Sequence, residues 1–131
     1  MQPPEADAPP ANWSMARSGY HAFSGLVFVV RRTPSLRVAV ACALILIALG
    51  WALRLPVMEL IAIILTSSLL IAVETLNTAV EMLCDFVHPN PHPMIGRVKD
   101  VAAAATAFTE VGGLAVLLIL LGPPLWRVLH G

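Results

Sequence analysis

Three apolar segments, each long enough to cross a lipid bilayer, constrain the fold of this chain more than any other feature. They cover about residues 36–53, 56–87 and 100–121, and a helical membrane span needs about 20 residues. Because hydrocarbon offers no partner for backbone amides, such segments are expected to be helices. The composition agrees, since 58% of the 131 residues are hydrophobic and 12% are charged. The sequence therefore predicts an all-α integral membrane protein.

The residues before the first span divide into two parts. Residues 1–12 are rich in proline, alanine and acidic residues and are predicted to form a disordered tail. Residues 13–33 are predicted to form an amphipathic helix on the membrane surface, as part of one membrane domain over residues 13–131. The apolar positions that repeat at helical spacing are Phe23, Leu26, Val27 and Val30. The alternative, one longer membrane helix, is disfavoured by the proline at position 34.

Proline marks the boundaries between the predicted helices. Thr33, Pro34 and Ser35 are predicted to form a turn, with Ser35 as the cap of the first span. Residues 88–93 are predicted to form a stiff loop, because their three alternating prolines fix φ and lack an amide hydrogen. Residues 122–124, with the sequence Gly-Pro-Pro, are predicted to end the third span.

The distribution of basic residues predicts the orientation in the membrane. Six of the eight flank the spans on one side, and two, Arg54 and Arg127, flank them on the other. The group of six comprises Arg17, Arg31, Arg32, Arg37, Arg97 and Lys99. Basic residues favour the cytoplasmic side, which places the N-terminus and the 88–99 loop there. The formal net charge is zero, so no general attraction to nucleic acid is expected.

A polar stripe at the end of the second span is the main indication of chemistry. Glu74, Asn77, Glu81 and Asp85 fall on one side of a helix at 100° per residue. Polar groups at membrane depth are costly unless they bind a cation or take part in a reaction. Carboxylate and amide oxygens suit Mg²⁺, which usually also binds substrate phosphates. A carboxylate near the hydrocarbon could be the general base for a lipid hydroxyl.

Basic residues that follow the loop complete a phosphate-handling set. Arg97 and Lys99 suit phosphate groups, and His92 and Asp100 lie beside them in sequence. Together with the stripe, these residues fit phosphoryl transfer, in which positioning and charge neutralisation supply most of the catalysis. The sequence contains neither a GxxxxGK[ST] loop nor a kinase-type glycine loop, so a nucleotide would occupy a different kind of site.

Structural interpretations of the same residues stay open. The stripe could form hydrogen bonds between helices of an oligomer. Asp85 could simply lie at the membrane interface, and Lys99 with Asp100 could be an anchor and a helix cap. His92 could be a solvated loop residue. Glu110 lies within the third span and needs a partner; a small transporter subunit with Glu110 in a proton path is a further, weaker interpretation.

The spacing of these residues resembles the prokaryotic diacylglycerol kinase family, which includes the undecaprenol kinases. The resemblance covers roughly residues 18–121. Its motifs are Glu74-x-x-Asn77-Thr-Ala-Val-Glu81, then Asp85, His92-Pro93 and Lys99-Asp100-Val-Ala-Ala-Ala-Ala. It implies a homotrimer in the bacterial inner membrane, with active sites shared between neighbouring subunits. It also implies ATP as phosphoryl donor, Mg²⁺ as cofactor, and diacylglycerol or undecaprenol as the lipid acceptor.

The resemblance also implies a role for each matching residue. Glu74 matches the general base, and Arg37 and Glu74 match positions near the lipid acceptor. Glu81 matches a metal ligand. The positions that match nucleotide or phosphate contacts are Asn77, Glu81, His92, Lys99 and Asp100.

The sequence departs from the family at one position. The family has a second metal-binding glutamate where Thr33 stands, and no acidic residue lies between Asp7 and Glu59. Metal could be held by Glu81 and phosphates alone, or Arg31 and Arg32 could contact phosphate instead. The remaining alternative is a catalytically impaired member that only binds lipid or nucleotide.

Overall fold

The structure, a computed structural model, describes residues 15–130 as four helices and their connections. The helices are α1 (Met15–Arg32), α2 (Pro34–Ala52), α3 (Val57–Val87) and α4 (Pro93–His130). The predicted tail, residues 1–12, lies outside the described residues. Helices α2, α3 and α4 are each long and apolar enough to cross a membrane. The prediction of an all-α chain with three such helices is confirmed.

The boundary between α1 and α2 is a single residue, and it corrects the predicted cap. Thr33 has extended backbone angles, φ −107° and ψ 110°, and Pro34 is the first residue of α2. This position suits proline because the first helical amide needs no partner within the helix. No side chain caps α2. Ser35 lies one residue inside the helix, and its hydroxyl donates instead to the carboxylate of Glu74.

A tight turn reverses the chain between α2 and α3. The amide of Arg54 donates to the carbonyl of Trp51 at 3.1 Å, and the amide of Leu55 donates to the carbonyl of Gly50 at 3.1 Å. This pair of bonds defines a Schellman motif, which satisfies carbonyls at a helix end. Arg54, in this turn, has a positive φ of 51°. The turn makes α2 and α3 antiparallel neighbours.

The prediction that residues 122–124 end the third span is wrong. Helix α4 continues through Pro123 and Pro124 to His130. Proline fixes φ at a value that a helix accepts, and its cost is the missing amide and a steric clash. Membrane helices tolerate that cost because local adjustments re-satisfy the affected groups. The helix also begins earlier than residue 100, at Pro93, where proline again occupies the first helical position.

The buried core lies at the end of the bundle where α2 turns into α3. Leu55, Ile63 and Leu121 form it, and Ile63 is fully buried. Elsewhere large apolar side chains are exposed on α2, α3 and α4, for example Leu44 at 65% and Leu118 at 65%. A chain with so much exposed apolar surface needs lipid or other subunits around it. The polar residues of the stripe lie toward the opposite end of α3.

Helix α4 packs closely against α3 through a glycine. A Cβ added at Gly113 would lie 3.0 Å from Leu70 Cδ1 and 3.4 Å from Thr66 Cγ2, whereas one added at Gly112 would meet nothing within 4 Å. Gly113→Leu is therefore expected to destabilise the fold by about 1–3 kcal/mol, because the added side chain forces the helices apart. Thermal unfolding in detergent measures this loss. Gly112→Leu is the matched control, and an equal loss there would contradict the close approach.

Candidate functional site

Glu74 is a buried carboxylate held by a residue from another helix. Its side chain is 9% exposed, and one of its oxygens, Oε1, accepts a hydrogen bond from the hydroxyl of Ser35 on α2. Its backbone carbonyl accepts one from the buried Thr78 hydroxyl at 3.0 Å. The second carboxylate oxygen, Oε2, makes no such bond with the described residues. The carboxylate is thus fixed in direction and keeps one oxygen available to a ligand.

Asn77 and Glu81 form a second polar pair, one helical turn further along α3. The Asn77 side-chain amide donates to Glu81 Oε1 at 3.1 Å. This is the i to i+4 contact that helical spacing allows. The amide oxygen of Asn77 is buried and makes no hydrogen bond within residues 15–130. Buried polar atoms are normally paired, so this oxygen marks a position for a donor or a cation.

A third pair joins α3 to α4. The Lys99 ammonium lies 2.5 Å from Asp85 Oδ1, with the Lys99 side chain 33% exposed and that of Asp85 66% exposed. Exposed ion pairs contribute little to stability, about 0–1 kcal/mol. The pair does show that the start of α4 folds back beside the end of α3. A predicted phosphate contact, Lys99, is therefore brought to the same end of the stripe as Glu81.

His92 closes the loop by capping α4. Its Nδ1 accepts a hydrogen bond from the Met94 amide at 3.2 Å, and its ring lies 5.1 Å from that of His88. Nδ1 is therefore the unprotonated nitrogen in this geometry, and Nε2 remains for another partner. The loop is non-helical over residues 88–92, as predicted, and Pro93 begins the helix. Asp85, His92 and Lys99 line one open cleft of about 640 Å³ beside this loop.

The remaining predicted site residues have no side-chain partners among the described residues. Arg31 and Arg32 form the last turn of α1, Arg37 lies in the first turn of α2 and Asp100 lies in α4. All four are exposed. Thr33 is half-buried between the two helices, two residues from Ser35. The α1–α2 junction is thus adjacent to Glu74. None of the four exposed residues forms a hydrogen bond or an ion pair with Glu81 among the described residues.

The acidic residues of a single chain fit Mg²⁺ only in part. No group of three or more His, Cys, Asp or Glu side chains within residues 15–130 could hold a metal ion. The hard oxygen ligands on one face are Glu81 and the unpaired amide oxygen of Asn77. Mg²⁺ commonly takes one or two protein carboxylates and completes its shell with water and substrate phosphates. The donor set present suits a metal that arrives with a phosphate-bearing substrate.

A cavity of about 350 Å³ opens onto Glu74 between α2, α3 and α4. Its walls are mostly apolar, with Val38, Leu46 and Leu117 among them. Its polar lining residues are Ser35, Ser67, Glu74, Thr106 and Glu110. An apolar chamber with a few polar groups at a buried carboxylate is the form that sites for small or lipid-like ligands take.

The polar residues of α3 divide the site along the helix axis. At 1.5 Å per residue, Glu81 lies roughly 10 Å and Asp85 roughly 16 Å from Glu74. Glu74 faces the apolar cavity, whereas Asp85 and Lys99 face the open cleft beside the loop. The arrangement can therefore hold an apolar molecule at one end and a charged molecule at the other.

The sequence of this chain matches a known protein family over most of its length. A family model described as prokaryotic diacylglycerol kinase matches residues 20–121. The chain belongs to this family. The chain is also 29% identical over 106 residues to the undecaprenol kinase of Bacillus subtilis (strain 168), which covers 80% of the chain and 86% of that protein. The family predicted from the stripe is confirmed, and residues 15–130 contain three helices able to cross a membrane.

Sequence reasoning missed three features of the site. Ser35 was predicted as a cap, and no local pattern indicated that it bonds Glu74, 39 residues away. Asp85 and Lys99 were considered separately, although their opposite charges across a short loop were a usable signal. Thr106, buried and without a hydrogen-bond partner within residues 15–130, was not singled out at all.

Proposed function

We propose that this chain is a membrane lipid kinase that transfers the γ-phosphoryl group of ATP to a lipid alcohol, diacylglycerol or undecaprenol. The observation that carries the proposal is Glu74, a buried carboxylate with one free oxygen at the mouth of an apolar cavity. A lipid hydroxyl that enters this cavity from the bilayer meets the carboxylate directly. Membership of the family and similarity to an undecaprenol kinase support the same reaction class.

In the proposed reaction, the free oxygen of Glu74 accepts the proton of the lipid hydroxyl. The alcohol oxygen forms a bond to the γ-phosphorus of ATP, and the bond between that phosphorus and the β–γ bridging oxygen breaks, which releases ADP. Ser35 donates to the other carboxylate oxygen and holds the base in place. The apolar cavity walls exclude water, which would otherwise compete with the lipid as acceptor.

The nucleotide would lie along α3, with its γ-phosphate toward Glu74 and the rest toward the loop. Lys99, freed from Asp85, would contact phosphate, and His92 Nε2, Asn77 and Asp100 would contact other polar parts of the nucleotide. Mg²⁺, when bound, would neutralise phosphate charge, with Glu81 and the Asn77 amide oxygen as its protein ligands. Arg31 and Arg32 supply further positive charge, and Arg37 lies at the acceptor end.

We also propose a homotrimer in the bacterial inner membrane, with α1 as a surface helix and the 88–99 loop in the cytoplasm. The excess of basic residues on the loop side supports this orientation. The incomplete ligand set of a single chain supports sites shared between subunits, because no group of three or more His, Cys, Asp or Glu side chains within residues 15–130 could hold a metal ion. The exposed apolar side chains of α2 to α4 would then face lipid and neighbouring subunits.

The test of the function is direct transfer of labelled phosphate. Purified protein in detergent micelles is supplied with γ-labelled ATP, Mg²⁺ and either diacylglycerol or a polyprenol, and labelled lipid is quantified after extraction. We expect turnover on at least one acceptor and none without Mg²⁺. Nucleotide binding without transfer to any lipid alcohol would instead identify a catalytically impaired family member.

The hydrogen bond from Ser35 gives a prediction about positioning. Ser35→Ala is expected to lower kcat roughly tenfold, because a misdirected base is less efficient, while the KM for ATP stays unchanged. Steady-state kinetics with varied ATP separate the two constants. Ser24→Ala is a suitable control, since the Ser24 hydroxyl bonds only the local His21 carbonyl at 3.0 Å. Equal effects of the two substitutions would contradict a role for Ser35 at Glu74.

A further inference from the structure

The cavity beside Glu74 contains a second carboxylate, Glu110, whose position the proposed reaction does not use. Glu110 lines the cavity from α4. It makes no hydrogen bond or ion pair within residues 15–130. An ionisable side chain at membrane depth normally faces a polar or functional environment, because exposure to hydrocarbon is costly. Glu110 is exposed on the single chain and lies in the wall of the acceptor cavity, so its carboxyl group is accessible to a ligand there.

The packing of α3 against α4 places Glu110 at the same level of the bundle as Glu74. The two helices are antiparallel, and Asp85 is paired with Lys99. Glu74 lies eleven residues before Asp85, and Glu110 lies eleven residues after Lys99. The close approach of Gly113 to Leu70 gives the same alignment. Two carboxyl groups thus face one cavity at one depth.

Thr106 supplies an independent indication of a ligand. It lies one helical turn before Glu110 and lines the same cavity. Its side chain is 9% exposed, and its hydroxyl is buried without a hydrogen-bond partner in the described part of the chain. An unpaired buried hydroxyl is unfavourable. Its neighbour Thr109 bonds its own helix, at the Ala105 carbonyl, whereas the Thr106 hydroxyl makes no such bond.

We propose that Glu110 and Thr106 form a second subsite for the lipid acceptor, which binds a hydroxyl next to the one that is phosphorylated. A hydroxyl can donate to the Glu110 carboxyl group and accept from Thr106, so one group satisfies both residues. The subsite predicts a preference for lipids with two neighbouring hydroxyls, such as a monoacylglycerol, over lipids with one. This inference rests on the proposed function, because it assigns the reacting hydroxyl to Glu74.

The test compares two probes that differ by one hydroxyl, 1-monooleoylglycerol and 3-hydroxypropyl oleate. Phosphoryl transfer to each is measured as kcat/KM, and binding of each is measured as a dissociation constant in the same micelles without ATP. We expect the diol to be favoured about tenfold or more in both measurements, as for other hydrogen bonds to charged groups. In Glu110→Leu the preference should fall to about one, and in Thr106→Val it should fall in part.

Matched substitutions keep the result interpretable. Thr109→Val and Glu59→Leu change the same residue types outside the cavity and should leave the preference intact. Glu110→Gln, which keeps the side-chain shape, serves if Glu110→Leu does not fold, and should retain only part of the preference. Equal kcat/KM values and equal dissociation constants for the two probes in the unaltered protein would overturn the subsite. A preference for the diol that persists after replacement of Glu110 and Thr106 would also overturn it. A Glu110-dependent preference in binding, with no transfer to either probe or to diacylglycerol or a polyprenol, would reject the proposed function and leave the subsite standing.

Discussion

Replacement of Glu74 by glutamine is expected to lower the rate of lipid phosphorylation by a factor of about 10²–10⁴, the usual contribution of a general base. Glutamine keeps the size of the side chain and can still accept the Ser35 hydrogen bond, so the fold should be preserved. It cannot take the proton of the lipid hydroxyl, so the chemical step is the one that suffers. Transfer of labelled phosphate to lipid in micelles, at saturating ATP, measures kcat directly.

The control for this prediction is Glu59→Gln. Glu59 lies in the first turn of the same helix, roughly 22 Å from Glu74 along the helix axis. It lines neither the cavity nor the cleft, and its replacement should leave the rate within about twofold of the unaltered protein. ATP binding to Glu74→Gln, followed by a fluorescent analogue, should also be unchanged. Turnover of Glu74→Gln at the rate of the unaltered protein would exclude Glu74 as the general base.

Glu81→Gln is expected to weaken productive binding of Mg·ATP roughly 10- to 100-fold, the range seen when groups that organise a metal site are removed. Glutamine can still accept the Asn77 amide, so the local contact on α3 should survive. The lost charge should appear as a higher Mg²⁺ concentration at half-maximal rate. A titration of rate against Mg²⁺ at fixed ATP measures this shift.

A substitution at Thr33 is expected to shift the Mg²⁺ concentration at half-maximal rate in the opposite direction. Thr33→Glu would add a carboxylate at the α1–α2 junction, two residues from Ser35 and hence close to Glu74. If the family's second acidic ligand is simply missing, this variant should lower the Mg²⁺ requirement while Glu81→Gln raises it. An unchanged Mg²⁺ requirement in both variants would contradict metal binding at this end of α3.

The long apolar runs made most of the fold predictable. The second predicted span, residues 56–87, agrees with α3, Val57–Val87, to within one residue. The end of α4 was not predictable in the same way. Proline indicates a helix end because it lacks an amide hydrogen and clashes with the preceding turn. In a membrane helix, local adjustments re-satisfy the freed carbonyls, so Pro123 and Pro124 are accommodated within α4.

Contacts of the candidate site within one helix were predictable from the sequence, whereas contacts between two helices were not. The Asn77–Glu81 bond follows from helical spacing alone. The Ser35–Glu74 bond depends on how α2 docks against α3, which no local pattern encodes. The roles that the family resemblance implies for these residues stay predictions. The surface position of α1, the trimer and the orientation stay predictions.

The double proline of α4 has a mechanical consequence for a helix able to cross a membrane. Pro123 and Pro124 have no amide hydrogen, so the carbonyls of Ile119 and Leu120 lose their usual helical donors. The helix is therefore most easily bent about ten residues beyond Glu110, at the end remote from Glu74. When bilayer thickness changes, helices adapt by tilting or kinking. A bend at the two prolines would leave the part of α4 that carries Glu110 unchanged, so that the two carboxylates of the cavity would keep their spacing in membranes of different thickness.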